Sequence, residues 1–323
     1  MKTIWNLPKI ELKPFAEIQE KRRVALVTSP PAWDAVKNRL TEFPPTTITF
    51  VQEATIAHWN KLSVGLYASR PDVVYSVGGG LTADAAKFIS NLFHLPLVCI
   101  PTALSVDAFF TAAAGIRENG CVKYIETPPP DQVVIDFDVL AAAPESIRAA
   151  GITDVMSIAT GSWDWKFAHE RGKNPPGMEY IPWVYENAQS ILRGVLDCAE
   201  SAGRGEEDGL KQLLDCLCME VQLCNQIGHA RPEEGSEHYF AYCAEQFAGS
   251  GWPHADLLGP GILLMAQRQG QESAHLQKAM EACHIPLGRL SNEITHQTLE
   301  QLPDYCREHG LPFGLAHELK EKK

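Results

Sequence analysis

The stretch Asp72 to Lys87, DVVYSVGGGLTADAAK, runs an apolar strand into three consecutive glycines and then into a helix, the chain plan of a nucleotide-phosphate cradle. Val73, Val74 and Val77 give it the β-branched content of a buried parallel strand, while Leu81, Ala85, Phe88 and Ile89 recur at helical spacing. Glycine at the junction lets backbone approach an anion without interference from a Cβ. The helix beyond turns its unpaired N–H groups and positive dipole end toward the same point. The run is neither the fingerprint G-x-G-x-x-G nor a Walker A loop, because no G-K-S/T follows. Taken alone, it serves a structural turn as readily as a ligand.

The next strand, Leu95 to Ile100, ends in Pro101-Thr102-Ala103-Leu104-Ser105-Val106-Asp107, so a second polar loop leaves the same carboxyl edge of the sheet. That edge is where open α/β sheets bind ligands. Thr102, Ser105 and Thr111 offer hydroxyls and Asp107 a carboxylate, with an ordinary Ser/Thr/Asp turn as the plain alternative. Much later, Arg231-Pro232-Glu233-Glu234-Gly235-Ser236-Glu237-His238 leads into a helix, and His254 follows in Gly251-Trp252-Pro253-His254. Asp154, in Gly151-Ile152-Thr153-Asp154, stands near the start of a helical region that it could equally cap.

In this order and spacing the motifs resemble the metal-dependent (iron-containing type) alcohol dehydrogenase superfamily, which also holds glycerol dehydrogenases, sn-glycerol-1-phosphate dehydrogenases and dehydroquinate synthases. The resemblance covers almost the whole chain. Its R-P-x-x-G-S-E-H run and P-T-x-x-S-x-D loop are most similar to the sn-glycerol-1-phosphate dehydrogenase branch. The resemblance implies that Gly78, Gly79, Gly80 and Asp84 lie at a cofactor pyrophosphate, that Thr102, Ser105 and Thr111 face the cofactor, and that Asp107 contacts substrate. It also implies that Asp154, His238 and His254 hold one divalent metal. One carboxylate and two neutral imidazoles leave coordination positions open, as in a catalytic site. A substrate hydroxyl bound there loses its proton near neutral pH, and its carbon can then pass hydride to a nicotinamide. Zinc is the leading candidate, and nickel, iron and manganese accept the same donors.

The chain departs from the family pattern in places. Tyr242 stands where that branch has a second, substrate-binding histidine; four residues after His238, it shares a helix face and can donate a hydrogen bond toward the metal. Ala255 replaces a glycine, and Pro260 is expected to kink the helix after His254. Arg231 is the sequence's best phosphate contact, with a structural ion pair as its alternative. The first clear strand ends Val27-Thr28-Ser29-Pro30-Pro31, with no acidic residue before Asp34 to repel a 2′-phosphate. Ser29 can bond a hydroxyl or a phosphate oxygen, so either NAD or NADP is expected to serve.

Composition fits a soluble cytoplasmic enzyme of two domains: 323 residues, 45% hydrophobic, with a formal charge of −12. No basic tract marks a nucleic-acid partner, and Lys320, Lys322 and Lys323 read as a solvated tail. The amino terminus has no apolar core of signal-peptide length, and no eighteen-residue apolar run suggests membrane insertion. Nine cysteines, an odd number, several within expected helices, read as buried thiols of a reducing compartment.

From Arg23 to about Asp138, short apolar runs alternate with helical ones: strands at Val24 to Thr28, Thr47 to Val51 and Val133 to Phe137, helices at Ala32 to Leu40 and Ile56 to Ala68, and a hairpin within Gly115 to Ile125. After Ala141 the reading is helical throughout, with helices at Glu186 to Ala199, Leu210 to Ile227, His238 to Phe247 and Leu257 to Arg268. The expected fold is an α/β amino-terminal domain with a parallel sheet (1–147) and an all-α carboxyl-terminal domain (148–323), with the active site in the cleft between them. The expected function is NAD(P)-linked oxidoreduction of a small polyol or polyol phosphate, with sn-glycerol 1-phosphate and dihydroxyacetone phosphate as the leading pair and a homo-oligomer implied by family analogy. A dehydroquinate-synthase-like cyclising lyase and a non-catalytic ligand-binding relative are the alternatives. Against the lyase, that branch uses a glutamate as first ligand and a lysine-rich phosphate set, whereas this chain has Asp154 and no lysine between Thr102 and Lys123.

Overall fold

The computed structural model describes residues 7–249 and 251–319, so the first six residues and the lysines at 320, 322 and 323 lie outside it. Six parallel strands form the sheet: β1 (Lys9–Leu12), β2 (Val24–Thr28), β3 (Thr47–Phe50), β4 (Val73–Gly78), β5 (Leu97–Pro101) and β8 (Gln132–Ile135). Their order is β1-β8-β5-β4-β2-β3. β2, β4 and β5 are buried along their whole length, as expected of parallel strands covered by helices on both faces. The coverings are α1 (Pro30–Val36), α2 (Ile56–Ala68) and α3 (Gly80–Phe93). α1 starts two residues before the expected helix because Pro30 and Pro31 occupy its first turn, where a missing N–H goes unmissed. β1 is absent from the sequence reading; a four-residue edge strand alternating Lys9, Ile10, Glu11 and Leu12 has no apolar run to betray it.

Between β5 and β8 stands the antiparallel hairpin of β6 (Ala113–Glu118) and β7 (Cys121–Glu126). Beyond β8 the described chain is helical: α4 (Phe137–Ala141), α5 (Glu145–Arg148), α6 (Ile152–Met156), α7 (Ile158–Glu170), α8 (Pro182–Gly203), α9 (Glu207–Ile227), α10 (Ser236–Ala248), α11 (His254–Arg268), α12 (Ala274–Ala282) and α13 (Asn292–Glu308). Of these, α4, α5, α7, α12 and α13 are additions to the sequence reading, α4 starting at Phe137 where a strand was expected to end, and α11 runs unbroken through Pro260. No helix among the described residues is long and apolar enough to cross a membrane. All nine cysteines are buried and free.

Three features of this fold aim the side chains discussed below. The loop after β5 is stitched to the start of the helical region by backbone bonds, Leu104 N–H to Arg148 O at 3.0 Å and Gly151 N–H to Leu104 O at 2.8 Å. α11 packs close against α10 because Gly261 has no side chain; a Cβ there would come within 2.7 Å of the Glu237 carbonyl oxygen. The hairpin reaches across to the helices through Gln246 Nε2, which donates to Gly120 O at 2.8 Å, and through an Arg117–Glu245 ion pair at 3.2 Å.

Candidate active site

The glycine loop, the loop after β5 and the starts of α6, α10 and α11 open onto one cavity of about 1720 Å³. Gly79 and Gly80 begin α3 on its wall, and Ser29, Asp84, Thr102, Ser105 and Thr111 line it as well. Gly78 lies just behind them at φ +141°, a left-handed backbone in which a Cβ would also meet Thr82 Oγ1 at 2.9 Å. Asp107, Asp154, His238, Tyr242 and His254 also line the cavity.

Asp154, His238 and His254 each offer one ligand atom, and the three atoms lie within 4.8 Å of one another. Neighbouring groups aim each side chain. Asp107 N–H donates to Asp154 Oδ2 at 3.0 Å, which leaves Asp154 Oδ1 buried, without a hydrogen-bond partner, and 3.6 Å from His254 Nε2. His238 Nδ1 lies 3.0 Å from Glu237 Oε1, which also accepts the Gly235 N–H at 2.6 Å. A proton on Nδ1 directs the Nε2 lone pair inward. The two imidazole rings stand 5.4 Å apart.

Charge is crowded here. Burial, then the neighbouring charge of Asp107, pushes the Asp154 carboxyl well above its usual range. Burial also lifts Asp107, to about 6. For His238 burial opposes protonation, yet the Glu237 hydrogen bond and the charges of Glu237, Glu234 and Asp154 together outweigh it and raise the imidazole to about 9. Burial, followed by repulsion from His238, holds His254 down to about 3, so it stays a neutral nitrogen donor. A buried carboxylate oxygen with no partner beside two imidazole nitrogens is a donor set that a divalent cation would complete.

Two expectations need correction. Arg231 does not reach the cavity: it is 3% exposed, and its guanidinium donates to Phe313 O at 2.8 Å and to Tyr239 Oη at 3.1 Å. It ties the loop before α10 to the chain after α13, so it is no phosphate contact. Tyr242 donates not toward the ligand trio but to Glu234 Oε1 at 3.0 Å, and its hydroxyl also meets that of Tyr124 at 3.0 Å. Thr111 does line the cavity, but its hydroxyl is engaged by Lys87.

Lys87 is the functional residue the sequence reading lacks. Its ammonium is fully buried and bonds Asp84 at 3.0 Å, Ala108 O and Thr111 Oγ1 at 2.9 Å each, and Ala113 O. It thereby pins the segment carrying Thr111 to the glycine-loop helix; its position three residues after Asp84 was the available signal. Glu233 and Glu234 also line the cavity, and so does Arg39, which joins Ser29 at the α1 end. Burial, then Asp107, pushes Glu233 well upward, and Glu220 on α9 is pushed upward by burial and Glu233.

Residues 10–144 match the family model described as iron-containing alcohol dehydrogenase. The chain is 25% identical over 288 residues, 85% of its length and 80% of the relative's, to a glycerol-1-phosphate dehydrogenase (NAD(P)+) of Hyperthermus butylicus. Among solved structures, it resembles the glycerol dehydrogenase of Schizosaccharomyces pombe, with a TM-score of 0.67 and 20% identity over 99% of this chain and 86% of that one. The sulfoacetaldehyde reductase of Bifidobacterium kashiwanohense, solved in complex with NAD+, aligns with a TM-score of 0.69 and 13% identity over 99% of this chain and 100% of that one. Both share the fold of this chain, a parallel-sheet α/β portion followed by a helical one.

A first expected result tests the outer support of the trio. Glu237→Gln keeps a hydrogen-bond acceptor for Gly235 and His238 but removes the charge. Affinity for zinc should fall roughly tenfold, read by competition with a chromogenic chelator. Unchanged affinity would mean that Glu237 serves only the helix start.

Proposed function

We propose that this chain is a metal-dependent, NAD(P)-linked dehydrogenase of a small polyol or polyol phosphate. The observation that carries this reading is the convergence of Asp154, His238 and His254 on the cavity that the glycine loop also lines. Asp154 Oδ1, His238 Nε2 and the ring of His254 would hold the metal, zinc being the first to try. When bound, such a cation supplies the Lewis acidity that makes a hydroxyl acidic near neutral pH.

The chain's own groups do the rest. N–H groups at the start of α3, beginning at Gly80 behind Gly79, hold the cofactor pyrophosphate. Thr102 and Ser105 offer hydroxyls beside it. The Asp107 backbone keeps Asp154 aimed, while its side chain faces the cavity to accept a substrate hydroxyl. The Tyr242–Glu234 bond fixes the phenol ring against the substrate. Relatives named as glycerol-1-phosphate dehydrogenases support polyol-phosphate chemistry, but with Arg231 withdrawn, glycerol 1-phosphate has lost its expected anchor in this chain.

The direct experiment is to incubate the zinc-loaded protein with NAD or NADP and a panel of small polyols and their phosphates, following reduced nicotinamide by absorbance. Net reduction dependent on both metal and polyol is expected. Cofactor recycling without net reduction would instead favour the cyclising lyase. A second expected result concerns the dinucleotide: with Ser29 and Arg39 both lining the cavity and no acidic residue in the Ser29 turn, NAD and NADP should differ by less than about a hundredfold in kcat/KM. Ser29→Asp should push the ratio toward NAD. A native enzyme excluding NADP more strongly than that would move the discriminating residue elsewhere.

A further inference from the structure

Side chains alternate along β7, so Val122, Tyr124 and Glu126 line the cavity while Lys123 turns outward to pair with Glu118. Gly115 stands opposite Tyr124 across the hairpin, and a Cβ there would lie 3.6 Å from Tyr124 Cε1 and 3.3 Å from Asp84 Oδ2. The phenol ring therefore stands close to Asp84 on α3, the helix that opens at the glycine loop. Its hydroxyl meets Tyr242 Oη at 3.0 Å, and the Tyr242 ring is 5.9 Å from that of His238. Tyr124 thus bridges the space between α3 and the ligand trio, where a carbon passing hydride to a cofactor on the glycine loop must lie.

A phenol has one proton to donate. Tyr242 donates its own to Glu234 Oε1 at 3.0 Å, so in the contact between the two phenols Tyr124 is the donor and Tyr242 the acceptor. The Tyr124 proton is thereby committed inside the protein, and what its oxygen has left is lone-pair capacity. Tyr242 is 3% exposed and enclosed by its two bonds, whereas Tyr124 is 56% exposed and open to the cavity. A ligand between α3 and the trio meets the oxygen of Tyr124, and meets it as an acceptor.

We infer that Tyr124 accepts a hydrogen bond from the hydroxyl beside the one that is oxidised, so that the site selects a vicinal diol whose second hydroxyl is free. The inference rests on the dehydrogenase reading above and names how that site chooses its substrate. The order Tyr124 to Tyr242 to Glu234 makes the choice one-way: a hydroxyl can donate to Tyr124, and an ether oxygen or a methyl group in its place cannot.

The test compares 1,2-propanediol with 2-butanol, which carries a methyl group in place of the second hydroxyl, and with 1-methoxy-2-propanol, whose ether oxygen only accepts. Each is offered to the zinc-loaded protein with NAD and NADP. The native protein should favour the diol over both by roughly tenfold in kcat/KM, about what one hydrogen bond contributes. Tyr124→Phe should bring the three substrates level, with the loss on the diol appearing in KM. Tyr242→Phe leaves the Tyr124 proton without its acceptor and free to turn to the ligand, so the gap between diol and ether should narrow while the gap to 2-butanol persists. A merely structural role for the tyrosines would not split the two gaps. A native protein without the preference, a Tyr124→Phe variant that keeps it, or an ether gap unmoved by Tyr242→Phe would overturn the inference and leave the dehydrogenase reading standing. If the native protein turns over none of the three, the dehydrogenase reading is what fails, and calorimetry decides the diol site. Tighter binding of 1,2-propanediol than of 2-butanol, with the difference lost in Tyr124→Phe, supports it; equal or absent binding overturns it.

Discussion

Replacing His254 with alanine will strip the protein of its divalent metal and lower turnover roughly a thousandfold or more, while the fold survives. The size follows from the chemistry: Lewis-acid stabilisation of a developing alkoxide is worth several kcal/mol, and each 1.36 kcal/mol is about a factor of ten in rate. The fold should tolerate the change because His254 opens α11 at the cavity edge and is only partly buried, while the packing of α11 rests on residues such as Leu258, Ile262 and Met265. Metal content, turnover and far-ultraviolet circular dichroism of the purified variant check the three parts together. Full metal retention with normal turnover would refute the role given to His254. His238→Ala should behave alike in metal content, but it also strands Glu237 in the interior, so it is the less clean of the two variants.

Lys87→Met should be the most destabilising single change near the site that touches none of the three ligands. Methionine is unbranched and only one atom shorter, but it leaves Asp84 without its ion-pair partner and abandons the oxygens of Ala108, Thr111 and Ala113. Breaking a buried pair by removing one partner costs about 3–5 kcal/mol. Chemical denaturation should show a loss of that order, with the segment 108–113 exchanging its amide hydrogens faster. A companion variant, Lys87→Met with Asp84→Leu, removes both charges and should recover a good part of the loss. A single variant as stable as the native protein would make Lys87 a bystander.

The strands were legible where burial imposed a composition. Val24 to Thr28 and Val73 to Val77 are β-branched because helices cover both faces of the central strands, and residues of that kind bounded by turn formers can be read from the chain. α2 carries its own start signal, the Thr55 side chain accepting from His58 N–H. What could not be read was settled by partners far along the chain. Arg231 reads as a ligand-binding arginine until Phe313 and Tyr239 claim its guanidinium. Lys87 reads as a helix-surface lysine until the segment 108–113 folds over it. Tyr242 shares a face with His238, as the spacing required, but Glu234 and Tyr124 decide where its hydroxyl points.

The bond from Asp107 to Asp154 is made by the Asp107 backbone, and the two bonds that tie Leu104 to Arg148 and Gly151 are likewise backbone to backbone. The bond that aims the Asp154 carboxylate therefore does not depend on which side chain stands at 107, proline excepted. At position 107 two duties coexist in separate atoms: the N–H keeps Asp154 in place, and the carboxylate faces whatever enters the cavity. Exchanging Asp107 for asparagine or serine should change what is admitted and keep the bond that aims Asp154, while relieving the neighbouring charge that pushes the Asp154 carboxyl upward. A library confined to this one position would sample new specificities with that bond kept, which makes it the natural starting point for redirecting the enzyme.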